Sequence, residues 1–76
     1  MVDILLADGF EEAEALVTAD LLRRGGCEVT LVGLDGLTVT GAHHITVTAD
    51  ATLSQVTTDD LEMLVLPGGL GGVENI

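Results

Sequence analysis

The chain has 76 residues, of which 13 are acidic and 2 are basic, so its formal net charge is −11 with the histidines neutral. Domains usually hold about 100–150 residues, so the sequence is expected to be a very small domain or part of a larger one. The acidic excess argues against binding to nucleic acid or to an anionic membrane surface, and the 47% hydrophobic content argues against a disordered tail.

Two apolar runs flank a helical segment and predict a βαβ unit. Residues 2–7 are apolar except for Asp3 and lack strict alternation, which favours a strand that is covered on both faces. Residues 28–32 predict the second strand. Because a strand, a helix and a strand follow one another within about 30 residues, the two strands are expected to be parallel.

The intervening helix is predicted over residues 10–24. Apolar side chains recur there at three- and four-residue spacing, which predicts an amphipathic helix with the stripe Phe10, Ala13, Val17 and Leu21. Asp8 and Glu11 fit a capping box at its N terminus, and Gly25-Gly26 ends it. For Glu11 and Glu12 we expect solvated carboxylates that favour the helix dipole and have no further function.

Residues 37–40 and 45–48 alternate apolar side chains with threonine, which predicts an antiparallel hairpin with one face wet. His43 and His44 lie in the turn between them. Adjacent histidines do not easily face one metal ion, and no Cys, Asp or Glu follows at ligand spacing. We therefore expect two solvated turn residues and no metal site.

The last part of the chain predicts a connection, a strand and a glycine-rich loop. Residues 49–60 are polar and predict a short helical turn with Leu53 and Val56 as packing points. Residues 61–66 predict a third main strand, which ends at a Pro-Gly-Gly-Leu-Gly-Gly loop over residues 67–72. Since a parallel sheet needs cover on both faces and one long helix covers one face, either the chain oligomerises extensively or, as we favour, the C-terminal half is absent.

The ends of the first and third main strands carry the candidate functional residues, because open α/β sheets bind ligands beyond the carboxyl ends of their strands. Glu14 lies near the apolar stripe, where a carboxylate needs a partner, so a functional acid and a solvated first-turn acid both stay open. The glycines of the loop over residues 67–72 can turn their N–H groups toward an oxyanion, or simply form a tight turn. The sequence has neither a phosphate-loop lysine nor a Gly-x-Gly-x-x-Gly pattern, so no motif indicates a nucleotide-binding site.

The sequence pattern alone assigns structural rather than catalytic roles to Cys27 and to the two arginines. Cys27 precedes the second strand, at the opposite end of the sheet, without a local base, so we expect a packing residue rather than a nucleophile. Arg23 and Arg24 are the only basic side chains, and ending the helix is favoured over reaching a carboxylate across a dimer contact. One cysteine, no apolar run of ~20 residues and no basic leader predict a soluble cytoplasmic protein.

Four segments, at residues 6–14, 21–33, 45–53 and 64–76, resemble in order the ThiJ/PfpI superfamily. They read Leu-Ala-Asp-Gly-Phe-Glu-Glu-Ala-Glu, Leu-Leu-Arg-Arg-Gly-Gly-Cys-Glu-Val-Thr-Leu-Val-Gly, Ile-Thr-Val-Thr-Ala-Asp-Ala-Thr-Leu and Leu-Val-Leu-Pro-Gly-Gly-Leu-Gly-Gly-Val-Glu-Asn-Ile. The resemblance implies a flavodoxin-like three-layer α/β sandwich with a mostly parallel sheet, usually in a homodimer. Residues 1–76 would be the N-terminal portion of one such domain, with its remainder absent from this chain.

The resemblance also implies roles for individual residues. The family's nucleophilic cysteine lies beyond this chain, and Cys27 does not match it. Glu14 matches the glutamate that hydrogen-bonds that cysteine, and a protonated carboxyl group there would hold the thiolate and pass a proton to or from a carbonyl substrate. Gly68 and Gly69 match residues whose N–H groups line the site, and Arg24 matches an arginine that approaches from the partner subunit.

The function implied is that of a cysteine-dependent protein that acts on small reactive carbonyls or their protein adducts, as a glyoxalase or deglycase without cofactor or metal. The partners implied are the carbonyl substrate, the missing C-terminal portion and a second copy of the chain. A redox-sensing or chaperone-like protein of the same fold is the alternative. A family label of thiazole monophosphate synthesis ranks third, since no phosphate loop supports it. A catalytically dead half-domain that pairs with a second polypeptide is the fourth reading.

Overall fold

The computed structural model describes residues 1–56, 61 and 63–68. Its elements follow one another as β1 (Val2–Leu6), α1 (Glu12–Arg24), β2 (Val29–Gly33), β3 (Thr38–Thr40), β4 (Thr46–Thr48), β5 (Ala51–Thr52), a 3-10 turn (Leu53–Gln55) and β6 (Met63–Val65). The predicted βαβ unit, hairpin, helical turn and third main strand are therefore confirmed. Residues 57–60 of the predicted connection and residues 69–72 of the glycine-rich loop lie outside the described part.

Four strands form one sheet in the order β5-β2-β1-β6, and each adjacent pair runs parallel. In the register of this sheet, Ile4 lies opposite Leu31 on one side and Val65 on the other. The sequence pattern does not predict β5, because two residues carry no periodicity; within the described residues this strand pairs with the end of β2 alone. The predicted α/β class with a mostly parallel sheet is confirmed.

The helix α1 packs on the core through small residues. Ala15 and Ala19 join a hydrophobic cluster that also contains Ile4, Leu6, Phe10, Leu31, Val39 and Ala49. The predicted stripe is wrong beyond Phe10, because Ala13 is exposed and Val17 and Leu21 are 54% and 61% exposed. Alanines let the helix backbone approach the sheet closely, and bulkier side chains on that face would need a wider gap.

The N terminus of α1 is capped by Glu11, whose Oε1 accepts a hydrogen bond from the N–H of Ala13 at 3.1 Å. The predicted capping box of Asp8 and Glu11 is therefore wrong. Asp8 Oδ1 instead accepts a hydrogen bond from the N–H of Thr40 at 3.1 Å, because the hairpin lies against the loop that precedes α1. The acid nearest the end of the strand thus stabilises a tertiary contact.

The hairpin of β3 and β4 is attached to the core by one face. Val39 pairs with Val47 and is 3% exposed, whereas Thr38, Thr46 and Thr48 are exposed, so the predicted wet face is confirmed. In the 3-10 turn that follows β5, Leu53 is 49% exposed and is not the predicted packing point.

Glycine ends α1 as predicted. Gly26 has a φ of 89°, in the left-handed region that side chains with a Cβ rarely adopt. Within the described ranges, no helix combines the length and the apolar character that a membrane crossing requires.

Candidate active site

The first turn of α1 lies between the hairpin and the end of β6. On the β6 side, the N–H of Glu11 donates a hydrogen bond to the carbonyl oxygen of Gly68 at 2.7 Å. The N–H of Gly68 in turn donates to Oε2 of Glu14. These reciprocal contacts join the carboxyl ends of β1 and β6, which are adjacent in the sheet.

The structure thus brings together Glu14 and Gly68, two predicted site residues that lie 54 positions apart. A Cβ at Gly68 would overlap the Glu14 carboxylate, so only glycine leaves room for this contact. The N–H of Gly68 orients Glu14, and its predicted role toward an oxyanion stays a prediction. Gly69 lies outside the described residues.

This geometry distinguishes the two oxygens of Glu14. Because Oε2 accepts the N–H of Gly68, a proton on this carboxyl group belongs on Oε1. The side chain of Glu14 is exposed in this chain, so Oε1 is open to a group that approaches the end of the sheet. A protonated Glu14 held in this way can donate one hydrogen bond in a fixed direction.

A second carboxylate, Glu12, binds the hairpin turn, a contact that the sequence pattern does not predict. Its Oε2 accepts hydrogen bonds from the N–H groups of His43 at 2.8 Å and Ile45 at 3.2 Å, and its Oε1 lies 2.9 Å from Nδ1 of His43. Glu12 is 3% exposed, so the prediction that it is a solvated acid is wrong. Glu12 shares the buried face of α1 with Ala15 and Ala19. The spacing of these small residues is the feature of the sequence that could have indicated that Glu12 is buried.

The contact between Glu12 and His43 shifts the pKa values of both side chains. Burial alone would raise the pKa of Glu12, but the hydrogen bonds from the His43 side chain and from backbone N–H groups outweigh it and lower that pKa to about 2. The hydrogen bond to Glu12 raises the pKa of His43, as do the negative charges of Glu11 and Glu12. His43 is therefore not the purely solvated turn residue that was predicted, although its side chain is 67% exposed.

Glu11, Glu12 and His43 are also the residues in the described part of the chain that can offer a metal ion three ligands, with ligand atoms within 4.8 Å of one another. Glu12 already accepts N–H groups at Oε2 and contacts His43 at Oε1, and Glu11 caps α1. A cation would have to displace these contacts, so the cluster is best explained as a link between α1 and the hairpin.

The two arginines have different environments. Arg23 donates from Nη2 to the carbonyl oxygen of Val29 at 2.8 Å and to Oδ2 of Asp50 at 2.9 Å. Arg24 is 74% exposed and pairs with Asp20 at 3.0 Å. A helix rises about 1.5 Å per residue, so Arg24 lies roughly 15 Å along α1 from Glu14 and does not reach that carboxylate within one chain. A contact across a dimer stays a prediction.

Cys27 is a free, exposed thiol at the opposite end of the sheet. The prediction that it is a packing residue is wrong, because its side chain is exposed. Cys27 precedes β2 at one end of the sheet, whereas Glu14 lies in α1 near the other end. That Cys27 is not the nucleophile of this site stays a prediction.

Comparison with solved structures places the fold among flavodoxin-like proteins of the DJ-1 superfamily. The superfamily protein STM1931 from Salmonella typhimurium matches with a TM-score of 0.92 and 44% identity, over 97% of this chain and 40% of that one. The DJ-1beta structure from Drosophila melanogaster matches with a TM-score of 0.91 and 42% identity, over 96% of this chain and 40% of that one.

The sequence profile of the DJ-1/PfpI family matches residues 1–76, and the chain belongs to this family. The expected resemblance to the ThiJ/PfpI superfamily is thereby confirmed. A relative named Deglycase TK1284, from Thermococcus kodakarensis, is 38% identical over 66 residues, which are 87% of this chain and 40% of that protein. The chain therefore spans between 17% and 40% of the length of the curated relatives it matches.

Proposed function

We propose that the complete protein is a cysteine-dependent enzyme that acts on small reactive carbonyls or on their adducts with proteins. The main observation that supports this proposal is the hydrogen bond between Glu14 and Gly68, which fixes an acid at the carboxyl end of a parallel sheet. Support also comes from the family and from relatives that are named deglycases. The nucleophilic cysteine would be supplied by polypeptide that follows these 76 residues.

The proposed chemistry assigns Glu14 the work of an acid. A thiolate adds to the carbonyl carbon, the electron pair of the C=O double bond moves to oxygen, and that oxygen takes a proton to give a hemithioacetal. Glu14 donates from Oε1 while Oε2 stays bound to the N–H of Gly68.

The direct test measures turnover of methylglyoxal by the full-length protein and by its Glu14→Ala variant. Loss of a positioned acid is expected to lower kcat/KM by about 10²- to 10⁴-fold. Glu28→Ala is the matched control, because Glu28 is an exposed glutamate at the opposite end of the sheet, just before β2. Unchanged turnover in Glu14→Ala would remove this residue from the mechanism, and no turnover by the wild type would refute the carbonyl substrate.

The same preparation separates this proposal from a redox-sensing role. A sensor would gain two oxygens on one cysteine after treatment with peroxide while it leaves methylglyoxal unchanged. An enzyme of the proposed kind consumes the carbonyl compound before any oxidation. Intact-mass measurement beside the activity assay therefore decides between the two readings.

A further inference from the structure

The first turn of α1 is bound on its other side by the hairpin. The N–H of Gly9 donates to the carbonyl oxygen of Thr40 at 2.9 Å, and the N–H of Ala42 donates to that of Phe10 at 2.8 Å. These bonds align the two backbones but end before the helix begins. Glu12 is the first residue of α1 itself to contact the hairpin.

The Glu12 carboxylate fills the gap between α1 and the hairpin turn. It accepts two backbone N–H groups and the His43 ring at distances from 2.8 to 3.2 Å. A Cβ added at Gly41 would overlap the same carboxylate, so the turn has room for Glu12 only because glycine stands there. The Glu12 carboxylate is therefore enclosed by His43, Ile45 and Gly41, whereas the next residue of the helix, Ala13, is exposed.

The residues on either side of Glu12 make the contacts of the proposed site. Glu11 donates its N–H to the carbonyl oxygen of Gly68, and Glu14 accepts the N–H of Gly68. Because all three acids belong to one helical turn, a rotation of that turn moves the carboxylate of Glu14 relative to Gly68. The hairpin contact at Glu12 opposes such a rotation.

We propose that Glu12 is a positioning residue, which fixes the first turn of α1 against the hairpin and so holds Glu14 in its hydrogen bond with Gly68. This inference rests on the proposed function for its catalytic consequence. Its structural consequence, protection of the Gly68 N–H, is independent of any substrate.

The experiment compares Glu12→Ala, Glu12→Gln and the control Glu28→Ala in the full-length protein. Turnover of methylglyoxal and amide hydrogen exchange are measured for each variant. Glu12→Ala is expected to lower kcat roughly 10-fold or more with little change in KM, since a shift of about 1 Å in a catalytic group has effects up to about 10²-fold. Exchange at Gly68 is expected to accelerate along with exchange at His43 and Ile45.

The glutamine variant distinguishes positioning from charge. Its amide oxygen can still accept the N–H groups of His43 and Ile45, so Glu12→Gln is expected to recover most of the kcat and most of the protection at Gly68. Glu28→Ala should match the wild type in both measurements. Native kcat and native exchange at Gly68 in a folded Glu12→Ala protein would overturn the inference.

The experiment distinguishes failure of the positioning role of Glu12 from failure of the proposed function. If Glu14→Ala abolishes turnover and Glu12→Ala does not, the positioning role fails and the proposed function stands. If no carbonyl compound is consumed at all, exchange at Gly68 still decides the role of Glu12. If Glu12→Ala does not fold, His43→Ala, which removes only an exposed ring, should show the same changes in smaller degree, and their absence would refute the proposal.

Discussion

Glu12 and Glu14 show how two carboxylates in one helical turn reach opposite environments. Two positions turn a helix by about 200°, so one side chain faces the hairpin and the other faces the end of β6. Glu12 is buried and fully bound, with its pKa lowered to about 2. Glu14 is exposed and has one oxygen committed to Gly68. A structural acid and an acid available for chemistry therefore lie side by side.

Gly68 offers a direct test of the Glu14 contact. A Cβ there would overlap the carboxylate, so Gly68→Ala is expected to displace Glu14 and to reduce turnover to the level of Glu14→Ala, with little loss of stability because the exposed Glu14 side chain can move aside. Gly36→Ala is the matched control, because a Cβ at Gly36 meets no atom within 4 Å. Activity and urea unfolding of the full-length protein measure both effects. Native activity in Gly68→Ala would contradict the assigned geometry.

The contact of Glu12 with His43 predicts a dependence of stability on pH. Glu12 titrates near 2 when folded and near 4.5 otherwise, so its contribution is complete above about 4.5 and is lost as the pH falls toward 2. The folded pKa of His43 is raised above 6.5, so its contribution is complete below 6.5 and is lost as the pH rises through the folded value.

The measurement is the free energy of unfolding of the full-length wild type minus that of His43→Ala, from about pH 4 to 9. We expect the difference to be largest between about 4.5 and 6.5 and to decline on the alkaline side. Glu11, with an oxygen 3.8 Å from Nδ1, stays as a negative neighbour in both proteins. A difference that does not vary between pH 6 and 9 would contradict this assignment.

At the scale of the element, the sequence predicted that α1 exists but not which face it buries. The stripe of Val17 and Leu21 has the larger apolar area, whereas the buried face contains Glu12, Ala15 and Ala19. Periodicity identifies an apolar face of a helix. Which face packs on the sheet is decided by the depth of the space between the helix and the sheet, because side chains must fill that space without overlap. That depth depends on partners outside the helix, so a local pattern could not give it.

The end of α1 provides a paired test of two aspartates. Asp50 accepts the N–H of Leu31 and the guanidinium of Arg23, both at 2.9 Å, and so links α1, β2 and the chain before β5. Among the described residues, Asp20 pairs with Arg24 alone, one turn away on an exposed surface. Asp50→Ala is expected to cost about 1–3 kcal/mol because it removes the acceptor of the part-buried Leu31 N–H, and Asp20→Ala about 0.5 kcal/mol. Equal losses in urea unfolding would contradict this ranking.

The candidate site was predictable in part. Glu14 and Gly68 follow strands of a parallel sheet, and such ends meet in space whatever the details of packing. The contact of Glu12 with His43 joins positions 31 apart through a hairpin that leaves the sheet, and its placement depends on tertiary contacts such as that of Asp8 with Thr40. No spacing rule within either segment contains that information.

At the scale of the whole molecule, β6 lies at one edge of the described sheet, and two of the surfaces with exposed apolar side chains are this edge and the outer face of α1. Met63, Leu64 and Leu66 lie at the β6 edge and are 50–54% exposed. The other surface is the outer face of α1, where Val17, Leu21 and Arg24 follow one another at spacings of four and three residues. The family resemblance predicts a homodimer and a role for Arg24 across it, and Arg24 shares this face with the two exposed apolar residues; both the homodimer and that role stay predictions.

This arrangement predicts the oligomeric state of the full-length protein. If a second copy covers the outer face of α1, Val17→Asp with Leu21→Asp is expected to convert a dimer into a folded monomer, because charges replace the buried apolar contact. Light scattering after size exclusion measures the mass, and Leu37→Asp, which alters an apolar residue that is 44% exposed elsewhere, should leave the dimer intact. Since Arg24 shares this face, the monomer should also lose whatever turnover depends on the partner's arginine. A wild-type monomer, or a dimer that survives both charges, would refute the placement of the interface on α1.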